Sequence, residues 1–211
     1  MTAARGRFIT LEGIDGAGKS THHAWLAERI AARGHKVVAT REPGGTPFGE
    51  KLRALLLREP MTVDSEALLM FASRREHLET VIRPAIARGD WVLCDRFTDA
   101  TYAYQGGGHG VPLARIRELE QWIDADTRPD RTFLFDIAPR ISRARLDRAQ
   151  SAGRDLDRFE LEAEGFFTRV RAVYLERAAA DPGRFRVIDS SRPLEDVRVE
   201  LAAELDALEA R

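Results

Sequence analysis

Five short runs of almost uninterrupted apolar or β-branched residues punctuate the chain: Phe8 to Leu11, Val37 to Thr40, Trp91 to Cys94, Thr132 to Ile137 and Phe185 to Ile188. Runs of this length without polar alternation predict strands covered on both faces. Between them the apolar residues fall at helical spacing, as in Trp25, Leu26 and Ile30. Ser65 to Arg88 reads as one long helix and Leu113 to Ile123 as another. Strands alternating with helices predict an α/β fold: a parallel, doubly wound, five-stranded sheet flanked by helices, in one domain over residues 1–211. In such sheets ligands bind beyond the carboxyl ends of the strands.

Composition removes several classes of function. The 211 residues carry 33 Lys and Arg against 34 Asp and Glu, a formal net charge of −1, so nothing supports a nucleic-acid partner. Only Lys19, Lys36 and Lys51 are lysines; every other basic residue is arginine. No apolar run approaches the roughly 20 residues of a membrane span, and no membrane partner is expected. The apolar stretch from Phe8 is broken by Glu12 and runs into a glycine-rich motif, which argues against a cleaved leader. A single cysteine, Cys94, fits a reducing compartment, and a cytoplasmic location is expected. The polar stretch Asp147 to Asp157, rich in arginine and small residues, reads as a surface loop or a lid of about residues 147–158.

The glycine-rich motif is Gly13-Ile14-Asp15-Gly16-Ala17-Gly18-Lys19-Ser20, which satisfies G-x-x-x-x-G-K-[ST] at every fixed position. A strand precedes it and an amphipathic helix follows. Its glycines let backbone N–H groups turn toward phosphate oxygens, and the helix N-terminus adds its dipole. Lys19 would reach the β- and γ-phosphates of ATP and the Ser20 hydroxyl would ligate Mg²⁺. The chain contains no asparagine, so the Asn-Lys-x-Asp guanine reader of GTPases is missing. Transfer to a small acceptor becomes the leading class.

Further segments narrow the acceptor. Arg41-Glu42-Pro43-Gly44-Gly45-Thr46, Leu69-Met70-Phe71 with Arg75, Asp95-Arg96-Phe97, Ala103-Tyr104-Gln105-Gly106-Gly107-Gly108 and Asp157-Arg158-Phe159-Glu160 occur in that order, followed by Phe166-Phe167 and Tyr174. Together with the cradle they resemble the thymidylate kinase family over almost the whole chain. The resemblance implies a P-loop fold of the nucleoside monophosphate kinase kind, Mg²⁺-dependent transfer from ATP to dTMP, and a homodimer packed through helices. It also implies roles. Phe71 would stack on thymine, and Arg75, four residues later, would donate to a base carbonyl. Pro43 would wall the base site, with the Thr101 hydroxyl toward the base edge, Tyr104 beside the deoxyribose and Gln105 completing the pocket. Arg96 would grip the acceptor phosphate with two prongs, with Arg41 as a second cation; Asp95 would bind Mg²⁺ through water or orient Arg96. Asp15 would accept from the sugar 3′-hydroxyl.

Some relatives place arginine directly after this acid, whereas Gly16 follows here, so the missing charge is expected from the lid. Arg145, Arg148, Arg154 and Arg158 lie in or beside it; Arg154 is expected to insert at the transition state and Arg145 to pack near the adenine. His22 and His23 are expected on a solvated face of the helix after the cradle. Three other readings stand beside this one. A deoxyribonucleoside kinase would use Glu42 as general base; another nucleoside monophosphate kinase would share the fold; a P-loop ATPase or binding module would have no small acceptor.

Overall fold

In the computed structural model, which describes residues 5–210, the five runs are strands β1 (Phe8–Glu12), β2 (Val37–Arg41), β3 (Trp91–Asp95), β4 (Arg131–Asp136) and β5 (Phe185–Asp189). They form one parallel sheet in the order β2-β3-β1-β4-β5. Four strands run one residue beyond the apolar stretch, and β4 is displaced by one toward the N-terminus. The ladder carries polar residues in register, with Arg41 opposite Asp95 and Asp136 opposite Asp189, so the sheet ends in charged side chains. Hydrophobicity alone does not mark that edge.

The helices are α1 (Lys19–Ala32), α2 (Pro47–Arg58), α3 (Val63–His77), α4 (Arg83–Ala87), α5 (Thr98–Thr101), α6 (Leu113–Ile123), α7 (Pro139–Ser151), α8 (Glu164–Ala180) and α9 (Leu194–Glu209). Ile9, Leu11, Leu93 and Phe133 share one buried cluster with Leu26 and Ile30 of α1 and Leu201 of α9. Phe8, Val92 and Cys94 share another with Phe71 of α3 and Ile116 of α6.

Local chemistry sets several boundaries. The Thr46 hydroxyl accepts from Gly49 N at 2.8 Å and Pro47 opens α2, where its missing N–H costs nothing. The continuous helix expected over Ser65 to Arg88 is corrected: α3 starts at Val63, capped by Thr62, and a π-helical segment, Leu78–Ile82, separates it from α4. Pro84 has no N–H to continue an α-helical ladder; the π segment absorbs the break and leaves Pro84 in the first turn of α4. A second π-helical segment, Tyr102–Gly108, continues α5 and packs on α8.

Candidate active site

The glycine-rich loop joins β1 to α1 at the carboxyl edge of the sheet. Gly13 has φ 137°, and a Cβ there would lie 2.4 Å from the Phe135 carbonyl oxygen, so only glycine fits. Lys19 folds back over the loop, donating to the carbonyls of Gly13 (3.0 Å) and Ile14 (3.1 Å). Burial, reinforced by the Arg96 charge, pulls its pKa below the usual lysine range against the nearby carboxylates. A crevice of about 1,020 Å³ opens over this loop, lined by Ser20, Arg41, Asp95, Arg145, Arg154 and Glu160 among others. Asp95 Oδ1 is buried with no hydrogen-bond partner among the described residues. With the Ser20 hydroxyl on the same crevice, it forms a hard oxygen donor set that suits Mg²⁺.

Arg96 stands at the junction. Its φ of 69° is rare for a residue with a side chain. Three bonds hold that turn: Arg96 N–H to the Leu11 carbonyl (2.9 Å), Phe97 N–H to Glu12 Oε1 (2.7 Å) and the Cys94 thiol to the Arg96 carbonyl (3.0 Å). The guanidinium donates through one terminal nitrogen to the Gly13 carbonyl (3.0 Å) and Tyr174 hydroxyl (3.2 Å), and through the other to Asp15 (2.6 Å) and the Tyr104 hydroxyl (2.9 Å). All four terminal N–H groups are thereby committed within the protein. This corrects the expected free two-pronged grip: in this arrangement a phosphate meets the Nε edge and the field of Arg96 unless Asp15 yields. Burial raises the Asp15 pKa, but Arg96, Lys19 and the Tyr104 hydroxyl outweigh it and hold the carboxyl below its usual range.

Glu12 is the opposite case. It is fully buried, accepts from Tyr174 (2.7 Å) as well as Phe97, and is raised to about 8 by burial and then by the Asp99 charge, with Arg96 opposing. Stability that depends on its protonated form is full below the ordinary carboxyl range and is lost as pH rises through the raised value. Wild type is therefore expected to lose up to about 1.4 kcal/mol per pH unit against Glu12→Gln across that window. Thermal unfolding of both proteins from pH 5 to 8 checks this, and melting curves that move in parallel would remove Glu12 as the titrating group.

A second crevice shares Asp15, Glu42, Arg53, Arg96 and Asp157 with the first. Pro43, Thr101, Tyr104 and Gln105 line it as expected. Phe71 and Arg75 do not. Phe71 is 2% exposed and packs in the core, while Arg75 donates to the Ile123 carbonyl (3.3 Å) and pairs with Glu79 (2.8 Å) at the surface. One position earlier on α3, Met70 and Arg74 line the crevice instead. Both pairs have the same four-residue spacing, and about 100° of helix rotation separates them. Packing chose between them: Arg74 lies against the rings of Phe71 (4.7 Å) and Phe97 (5.1 Å) and pairs with buried Glu42 (2.8 Å). Arg53, which donates to the Pro43 carbonyl (3.0 Å), was also missed; its signal was an arginine between Leu52 and Leu56 on the helix after the Glu-Pro-Gly-Gly turn.

Glu42, His77 and Cys94 bring oxygen, nitrogen and sulfur within 4.8 Å of one another. Each is already bonded: Glu42 to Arg74 and His77, His77 also to Thr40 (2.7 Å), and the Cys94 thiol to a carbonyl. Burial pushes that thiol well up, away from the thiolate a metal requires. The knot is a hydrogen-bond network.

The expected lid is shorter than its polar stretch. Asp147 to Ser151 form the last turns of α7, whose apolar Ile141 and Leu146 carry the helix through them, and the unwound part begins at Ala152. Arg154 lines the donor-side crevice, half-exposed and paired with Glu160. Arg145 bridges the Gly16 carbonyl (3.1 Å) and the Ser190 carbonyl (3.0 Å), tying the cradle to the loop after β5. Arg148 lines neither crevice, and Arg158 is spent on the Leu56 carbonyl and Glu66. The solvated face expected for His22 and His23 is corrected too. His22 is buried and stacked on Phe135 (5.1 Å), and His23 bonds the Leu93 carbonyl (3.1 Å), because that face of α1 lies on the sheet.

Comparison with known proteins identifies the family. Residues 11–201 match the family model described as Thymidylate kinase. The chain is 62% identical over 205 residues to a thymidylate kinase of Bordetella petrii, covering 97% of each. It is 54% identical over 209 residues to one of Burkholderia cenocepacia, covering 97% of this chain and 100% of that relative. The crystal structure of a thymidylate kinase from Ehrlichia chaffeensis matches with a TM-score of 0.76 at 33% identity, over 96% of this chain and 99% of that one.

Proposed function

The chain belongs to the thymidylate kinase family, and from that premise we propose how its residues share the Mg²⁺-dependent transfer of a phosphoryl group from ATP to dTMP. The observation that carries the reading is the meeting of two crevices at Asp15, Arg53 and Arg96: one lies over a phosphate cradle, and the other is walled by apolar and hydrogen-bonding side chains of base size. ATP occupies the first, with Lys19 on its phosphates and Arg145 near the adenine. dTMP occupies the second, its base between Pro43 and Met70 and facing Arg74 and Thr101, its sugar beside Tyr104 and Asp15, with Gln105 completing the wall. Its phosphate lies among Arg41, Arg53 and Arg96.

The acceptor phosphate, with a second pKa of about 6, is largely dianionic at neutral pH, so no general base is required. Catalysis consists of bringing two anions together and excluding water, the work of the arginines and of lid closure by Arg154. Bound Mg²⁺ supplies positive charge to the donor phosphate oxygens, and Ser20 and Asp95 would hold it, Asp95 directly or through water. The deoxyribonucleoside kinase alternative loses its base: both Glu42 oxygens are committed, one to Arg74 and one to His77.

Turnover with ATP and Mg²⁺ on dTMP, thymidine, dUMP, UMP or no acceptor tests the assignment. dTMP is expected to be fastest. Faster phosphorylation of thymidine, or equal ADP release without acceptor, would defeat it. The single-domain reading over residues 1–211 and a cytoplasmic setting go with this function. Exposed Leu68 on α3 and Trp122 on α6 support a homodimer through these helices, to be tested by sedimentation velocity.

A further inference from the structure

Arg74 reaches the base crevice from inside the protein, only 2% exposed, and a buried guanidinium takes its orientation from the acceptors around it. Its Nε donates to Glu42 Oε2 (2.8 Å) and one terminal nitrogen donates to the Thr101 hydroxyl (2.9 Å). The other terminal nitrogen is buried and has no hydrogen-bond partner among the described residues. A crevice that takes a pyrimidine by a carbonyl edge needs such an unspent donor.

What keeps it unspent lies behind Glu42. His77 is completely buried, with Nδ1 2.9 Å from Glu42 Oε1 and Nε2 2.7 Å from the Thr40 hydroxyl. The ring has no room to leave: a Cβ on Gly45, which sits at φ 77°, would lie 2.6 Å from its Nε2. We propose that His77 is a positioning residue for base recognition: by donating from Nδ1 to Glu42 it restricts that carboxylate to a single bond with Arg74 Nε, so that the guanidinium keeps Thr101 on one prong and offers the other to the base.

A carboxylate beside arginine otherwise favours two parallel bonds. Without the His77 donor, Glu42 Oε1 is free to turn and collect the prong now held by Thr101. That change tilts the guanidinium plane without touching the phosphate cradle. His77 reaches no crevice-lining position itself, so its effect passes through Glu42 and Arg74.

The inference rests on the proposed use of the second crevice for dTMP, and the test separates the two. Steady-state kinetics with dTMP and with dCMP, which lacks the methyl group and carries an amino group in place of one base carbonyl, are measured for wild type, His77→Leu and His77→Asn. The asparagine amide can donate from nearly the place of Nδ1. His77→Leu is expected to raise KM for dTMP about tenfold and to lower the dTMP-over-dCMP preference about tenfold, with kcat at saturation and KM for ATP unchanged. His77→Asn is expected to restore most of both. A leucine variant that keeps wild-type preference overturns the role of His77 while leaving the crevice assignment intact. Equal losses on both nucleotides and on ATP, or an asparagine variant as impaired as leucine, also overturn it. Absence of dTMP preference in wild type overturns the crevice assignment and this inference with it.

Discussion

Arg154→Ala is expected to lower kcat on dTMP by about a thousandfold while KM for dTMP and the melting temperature scarcely move. The asymmetry follows from where the residue sits. Arg154 is on the unwound segment after α7, its side chain is half-exposed, and its partner is Glu160, which also accepts the Asp157 N–H. Removing it leaves Glu160, 5% exposed, with the Asp157 N–H and the open crevice it lines, through which water reaches the carboxylate, so the cost to the fold stays small. The transition state is different: charge spreads over the transferring phosphoryl group, the cradle lacks the arginine some relatives place after the acid, and a cation delivered by a closing lid does most for the rate. Steady-state kinetics beside thermal unfolding check both halves. A kcat near that of wild type would remove Arg154 from the chemistry and leave it to Lys19, Arg41, Arg53, Arg96 and Arg145, the other cations at the crevice.

Lys19→Met is expected to lose about 10²–10³-fold in kcat and, unlike the lid variant, to lower the melting temperature as well. Methionine preserves the length and the apolar stem but carries no charge and no N–H. Two carbonyls of the cradle, those of Gly13 and Ile14, lose their donor, and Gly13 must still accept from Arg96. Leaving a buried acceptor short costs about 1–3 kcal/mol. The ammonium is the cation built into the loop itself, so its loss acts on bound ATP before the lid closes. Comparable kcat in Lys19→Met and wild type would show that phosphate charge is met by the arginines alone.

Those two residues illustrate what was legible. Lys19 belongs to a motif whose spacing follows from phosphate geometry, and the five strands announce themselves because doubly covered strands have no polar alternation. Met70 and Arg74 show the limit. An arginine four residues after an apolar side chain identifies a helix face but not its phase, and Phe71 with Arg75 satisfied the same rule. The phase was fixed by Glu42, 32 positions earlier, whose buried carboxylate demanded a cation. His22 shows a related limit: nothing in the sequence near the start of a helix distinguishes a solvated histidine from one stacked on the sheet beneath it. Arg96 was found by its place after β3, but its commitment to Asp15 and two tyrosines was not, because those partners come from three other segments.

The parallel strand order has a consequence for biosynthesis. β1 emerges first yet lies in the middle of the sheet, and both of its neighbours, β3 and β4, are made long after it. Arg96 waits 78 positions for the Tyr174 hydroxyl, and the Asp15 carbonyl waits 127 for that of Ser142. A nascent chain thus carries an unsupported cradle through most of translation, and distant pairings of this kind place folding among the slower topologies. No fragment that stops short of α8 contains a finished crevice, so activity should switch on late and all at once, when α8 docks against the π-helical segment that bears Tyr104.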